Sequence, residues 1–187
     1  DENLGRISDL TARAARIIKN LRAFSRNAPE ATGPVDLDPV VDDAIALMAA
    51  RARVEGVEIR FSKPASPMIV EGGVVRLQQV LVNLLSNALD AMAAPGAIDI
   101  SIEENGDRAH LSIRDRGDGL SDEVKDRVFD PFFSTKTDAG EGMGLGLSIS
   151  YGIIRSFGGE LRAANHPEGG AIFTIDLKRA PAQEVAA

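Results

Sequence analysis

Cysteine and tryptophan are absent from the 187-residue sequence, there is one tyrosine, and aromatic residues make up only 4% of the chain. Without thiols there are no disulfides and no thiolate metal sites, which suits a reducing compartment. No apolar run approaches the roughly 18 residues of a membrane span. The opening Asp1-Glu2-Asn3-Leu4 has neither an initiator Met nor a basic-apolar signal pattern, so it reads as a piece cut from a longer protein. Basic charge is also scarce, with 21 Lys and Arg against 28 Asp and Glu and a net charge of -7. That balance argues against a nucleic-acid footprint, which needs clustered cations. Any anion bound by this chain has to be captured locally.

With 44% hydrophobic residues, the chain can bury one core and carry a helical appendage. Ile7, Leu10, Ala14, Ile17, Leu21 and Phe24 recur in threes and fours, placing one apolar stripe on a helix that needs a partner. Arg6, Arg13, Arg16, Lys19, Arg22 and Arg26 lie mostly off that stripe, as a solvated face. The segment from Asn27 to Pro34 holds two prolines and a glycine and breaks the helix. Asp36 or Asp38 can cap a second helix with Pro39 in its first turn, burying Val40, Val41, Ala44, Ile45, Leu47 and Met48 and ending near Gly56.

Residues 57–61 and 68–70 read as strands, and residues 74–92 as a long helix with Leu77, Val80, Leu81, Leu84, Leu85, Ala88 and Leu89 inward. Residues 97–102 and 109–113 form a hairpin around Asn105-Gly106. Residues 122–129 give a short helix, 130–142 a loop expected to move in the absence of ligand, 144–157 a helix, and 160–165 and 171–178 the last strands. The pattern predicts an α+β fold. It is a two-layer sandwich whose mixed, mostly antiparallel sheet carries helices on one face, preceded by a long N-terminal helix.

Three clusters carry the chemistry. Asn83 and Asn87 stand four apart on the long helix, beside its leucine stripe, and can offer amide oxygens to a hard cation and N–H groups to phosphate. Asp115 ends a strand ahead of Gly117 and Gly119, where a carboxylate can accept from an adenine amino group while backbone comes close. Gly140, Gly142, Gly144 and Gly146 alternate up to a helix start at Leu147, a backbone cradle for polyphosphate. Before it lies the run Phe129 to Lys136, where Phe129, Phe132 and Phe133 either anchor a lid or simply pack, and Thr135 and Lys136 can reach a terminal phosphate. A dinucleotide-binding reading is poor, because that glycine loop follows a first strand. His110 on an outward strand face and His166 in a turn read as surface residues.

These clusters resemble the boxes of the sensor histidine kinases, within the superfamily of gyrase, chaperone, histidine kinase and mismatch-repair ATP-binding domains. Asn83 to Ala88 is similar to the N box, Asp115 to Gly119 to the first Gly box, Phe129 to Phe133 to the F box and Gly142 to Leu147 to the second Gly box. Gly158-Gly159 and Gly170 to Thr174 match the end of that domain, and the later boxes look most like the four-carbon dicarboxylate and nitrogen sensor kinases. The resemblance implies that Asn87 holds Mg²⁺, Asn83 assists at the phosphates and Asp115 takes the adenine amino group. Asp90, Gly117, Gly119, Thr135, Lys136, Gly142, Gly144, Leu145, Gly146, Leu147 and Thr174 would complete an ATP site.

The same resemblance divides the chain into the second helix of a dimerisation and phosphoacceptor hairpin (1–27), a linker (28–34), an ATP-binding catalytic domain (35–179) and a flexible tail (180–187). Its expected partners are its own phosphoacceptor helix, a homodimer partner and a response-regulator receiver domain. The domain would be cytoplasmic and its parent in the inner membrane. Three departures stand out. Gly73 and Val74 replace a common Asp-Pro, so a helix cap is lost; Asp90 and Ala91 replace a common Lys and aromatic residue; and neither His110 nor His166 is followed by an acidic residue. The phosphoacceptor His and its base are therefore expected upstream of Asp1. Relatives that hydrolyse ATP carry a Glu one turn before the metal-binding Asn; here that position is Asn83, an amide that takes no proton, which favours phosphoryl transfer over water activation. The alternatives are a nucleotide-binding regulatory module and a protein Ser/Thr kinase of the same fold, which has no need of the helix at 1–27.

Overall fold

The computed structural model describes residues 32–135 and 144–180. The helix expected at 1–27, the tail beyond residue 180 and the segment 136–143 lie outside the described residues. Along the chain come β1 (Gly33–Asp36), α1 (Leu37–Glu55), β2 (Val57–Ser62), β3 (Ile69–Gly72), α2 (Val74–Ala91), β4 (Gly96–Asn105) and β5 (Arg108–Arg114). α3 (Asp122–Arg127), α4 (Gly146–Ser156), β6 (Glu160–Asn165) and β7 (Ala171–Lys178) complete the order.

Gly33 and Pro34, expected in the linker, instead open β1, which pairs antiparallel with β3 from Gly33↔Gly72 to Asp36↔Ile69. A proline is tolerated at such an edge, and the partner is too distant in sequence to leave a local pattern. Asp36 then caps α1, its side chain accepting from the Asp38 N–H at 3.1 Å. Gly56, at φ 68°, ends that helix in the left-handed region.

The five-stranded sheet runs β2-β4-β5-β7-β6, parallel between β2 and β4 and antiparallel elsewhere. Helices α1, α2 and α4 lie side by side on one face, α1 over β2, α2 over β5 and α4 over β6. Alternation along β5 buries Ala109, Leu111 and Ile113 beneath them and turns Arg108, His110 and Ser112 to the other face. There Asp176, itself 5% exposed, pairs with Arg108 and holds His110 Nε2 at 2.9 Å. His110 is thus an ion-pair partner on the outward face. Both outer strands carry a Glu-x-Arg pair, Glu58–Arg60 on β2 and Glu160–Arg162 on β6, each at 2.6 Å.

All seven apolar residues expected inward on α2 are buried. As the missing Asp-Pro implied, Gly73 begins this helix with no side-chain cap. On α1 the expectation for Leu47 fails: it is 63% exposed. The buried stripe advances there in steps of four, Ala44, Met48, Ala52, and so rotates away from Leu47.

Leu84 is fully buried; Leu84→Ala is expected to lower the unfolding free energy by about 2–5 kcal/mol in urea titrations. Leu47→Ala should change it by no more than about 0.5 kcal/mol.

Candidate functional site

A cavity of about 750 Å³ opens where the second half of α2, the start of α4 and the loop after β5 converge. From α2 it receives Asn83, Asn87 and Asp90; from the loop after β5, Asp115 and Gly119; from the segment before and into α4, Thr135, Gly144, Leu145, Gly146 and Leu147. Residues far apart in sequence therefore meet around one space. Lys136 and Gly142 lie outside the described residues. Thr174 does not line the cavity: β7 alternates, so its neighbours Ala171 and Phe173 face inward, while Thr174 sits level with Ser112 and Arg162 on the opposite face.

Asp115 is the most enclosed polar residue lining the cavity, at 2% exposure. Its Oδ1 accepts from the Gly117 and Ala171 N–H groups, each at 3.0 Å. Among the described residues no donor reaches Oδ2, so one oxygen holds the loop and the other remains for a ligand. Gly117 does not line the cavity but is needed beside it: a Cβ there would lie 2.4 Å from the Ala91 carbonyl oxygen. The absent side chain lets this loop pack on the end of α2.

The two amides are not equivalent. Asn83 Nδ2 donates to Ser150 Oγ at 3.0 Å, tying α2 to α4. A Cβ on Gly146 would fall 2.3 Å from Asn83 Oδ1, so any larger first residue of α4 would push the Asn83 amide out of its present position. Asn87, one turn on, makes no hydrogen bond among the described residues. It is the better placed amide to hold a cation. α4 begins at the cavity without a side-chain cap, which leaves its first N–H groups for an anion.

The phenylalanines divide between the roles expected of them. Phe129 packs on the core and stacks on Tyr151, centroids 5.3 Å apart. Phe133 lines the cavity with the Arg127 guanidinium 4.5 Å above its ring. Phe132, at φ 66° and 73% exposed, donates its N–H to the Gly144 carbonyl at 3.0 Å, two residues ahead of α4. Sequence reasoning missed Ser86, Asp118 and Leu120, which also line the site. Ser86 and Asp118 sit inside clusters already singled out; Leu120 follows the second and is placed there by Asn165, which exchanges two hydrogen bonds with its backbone, at 2.7 and 2.8 Å.

Residues 72–181 match the family described as histidine kinase-, DNA gyrase B-, and HSP90-like ATPase. The C4-dicarboxylate transport sensor protein DctB of Pseudomonas aeruginosa is 42% identical over 94% of this chain and 29% of its own length. The chain thus spans less than a third of that relative. The nucleotide-free catalytic domain of histidine kinase ThkA aligns with a TM-score of 0.72 at 29% identity, over 80% of this chain and 96% of that one. ThkA in complex with the response regulator protein TrrA shares the fold, with a TM-score of 0.78 at 24% identity over 98% of this chain and 52% of that one.

Asp115→Asn turns an amide N–H toward the ligand, and Asn87→Ala removes the unpartnered oxygen. Each is expected to weaken ATP binding by at least about tenfold in titration calorimetry. Circular dichroism should report an unchanged fold.

Proposed function

Because this chain belongs to the histidine kinase-, DNA gyrase B- and HSP90-like ATPase family, as the ATP-binding catalytic domain of a two-component sensor histidine kinase, we propose that it holds Mg-ATP for transfer of the γ-phosphoryl group to a histidine outside these 187 residues. A response-regulator receiver domain would take the group in turn. The single observation behind this reading is the convergence of Asp115, Asn87 and the uncapped start of α4 on one cavity.

The residues fit the nucleotide and its metal. Among the described residues no cluster of His, Cys, Asp and Glu could hold an ion by itself. The donor at hand is the Asn87 amide oxygen, which suits a magnesium ion held mainly by phosphate oxygens and water. Bound there, the ion would offset phosphate charge. Asp115 Oδ2 accepts from the adenine amino group, and Gly117, packed on the end of α2, holds the loop that follows that carboxylate in place. The first N–H groups of α4 receive phosphate oxygens, aided by the positive end of the helix. Thr135, also on the cavity wall, extends this grip on the polyphosphate.

Phosphoryl transfer asks a protein mainly for position and charge compensation, and nothing more is needed here. Asn83 takes no proton, and its amide is engaged by Ser150. That favours delivery to a side chain over activation of water. The acceptor is neither histidine of this chain: His110 is bound to Asp176 on the face of the sheet away from the helices, and His166 Nδ1 accepts from the Glu168 N–H at 3.2 Å within its turn. Residues 1–27 would supply one helix of the acceptor bundle and its dimer contacts. No helix among the described residues is long and apolar enough to cross a membrane; an inner-membrane attachment would belong to the rest of the parent protein.

The chain extended at its N terminus by its upstream helix, given γ-labelled ATP and Mg²⁺, is expected to gain acid-labile, alkali-stable phosphate. The 187-residue piece should bind ATP and gain none. Binding without any phosphohistidine in the longer chain would make the domain a regulatory nucleotide module.

A further inference from the structure

The cavity wall has a charge problem. Asp90, Asp115 and Asp118 line it, and no Lys or Arg does among the described lining residues, yet the proposed ligand is a polyanion. Asp115 is answered by backbone N–H groups. Asp90 is answered from outside the wall, by a residue of α1.

Arg51 lies on α1, no residue of which lines the cavity. Its guanidinium divides three ways: Nε donates to Glu55 Oε1 at 2.7 Å, Nη1 to Ser86 Oγ at 2.8 Å, and Nη2 to Asp90 Oδ1. Ser86 and Asp90 both face the cavity, on either side of Asn87 in sequence. Burial works to lower the Arg51 pKa, but its hydrogen bonds to Asp90 and Glu55 prevail and raise it. Arg51 is therefore a permanent cation set just behind the wall.

Ser86, like Ser150, is a helical serine whose hydroxyl oxygen accepts from another side chain. A serine within a helix commonly donates its hydroxyl to a carbonyl one turn back. Ser148 does so to Leu145 at 3.0 Å, and Ser156 to Ile153 at 2.6 Å. Ser86 instead accepts from Arg51, and among the described residues nothing takes its own proton. A hydroxyl whose oxygen is filled by a cation is a polarised donor, available on the cavity side.

We propose that Arg51 is a positioning residue for the nucleotide: it cancels the charge of Asp90 and presents the Ser86 hydroxyl as a donor to the polyphosphate. The proposal rests on the reading of the cavity as an ATP site. It makes α1 part of the binding machinery without touching the ligand. The effect should follow the phosphates and leave the adenosine moiety aside, because only the phosphates carry charge and accept strongly from a polarised hydroxyl.

Calorimetry or competition binding with ATP and with adenosine, on the whole 187-residue chain, tests this. Arg51→Gln is expected to weaken ATP about tenfold and adenosine less than about twofold. Adding Asp90→Asn to Arg51→Gln should recover most of the ATP loss, since the charge that needed cancelling is gone. Ser86→Ala, which removes only the hydroxyl, should weaken ATP about threefold or more and spare adenosine. If Arg51→Gln lowers both affinities equally, or neither, Arg51 is only a brace between helices and the proposal is overturned. If Arg51→Gln does not fold, an unchanged ATP affinity in Ser86→Ala overturns it just as well. Wild-type protein that fails to bind ATP would sink the underlying site assignment, a result distinct from any of these.

Discussion

Burial of one face of α2 aims everything on its other edge. Leu84 and Leu85 are fully buried, with Leu77, Leu81 and Leu89 at 2% exposure or less, and that stripe locks the rotation of the helix about its axis. Asn83, Ser86, Asn87 and Asp90 are then held toward the cavity by the same rotation. A rigid helix packed on a sheet places side chains more reproducibly than a loop does. Core and site are in this sense one arrangement, and a change that let α2 turn would disperse the polar groups before it unfolded the domain.

Around that helix the site is assembled by close approach. Gly117 lets the loop after β5 rest on the end of α2, and Gly146 lets the start of α4 meet Asn83, each at a distance where a methyl group would collide. Asp115 sits at the junction, with one oxygen securing the turn after its own strand and the start of β7. Its carboxylate is thus oriented before any ligand arrives, the condition under which a single hydrogen bond can discriminate among bases.

The sequence made most of this legible, and the failures have physical causes. The leucine stripe of α2 and the alternation of β5 are local periodicities, and both were placed correctly. Asn83, Asn87 and Asp115, which stand out in the sequence by residue type and spacing, line one cavity. β1 was hidden because its partner lies more than thirty residues away and a proline sits within it. Leu47 was misplaced because an apolar stripe can drift around a helix. Thr174 was one residue out of phase with the inward face of β7. The different duties of Asn83 and Asn87, and the link from Arg51 to Ser86, depend on helices meeting in space, which no spacing along the chain encodes.

The sheet is open at both ends among the described residues, and an open end presents unpaired backbone that can recruit strands from other copies of the chain. The alternating acid and base on β2 and β6 meet that hazard. A neighbour adding itself in either direction would have to accommodate paired side chains of both signs along its whole approach, with water stripped from them. These four charged side chains lie apart from the cavity, so guarding the edges and receiving a ligand are separate tasks of one sheet.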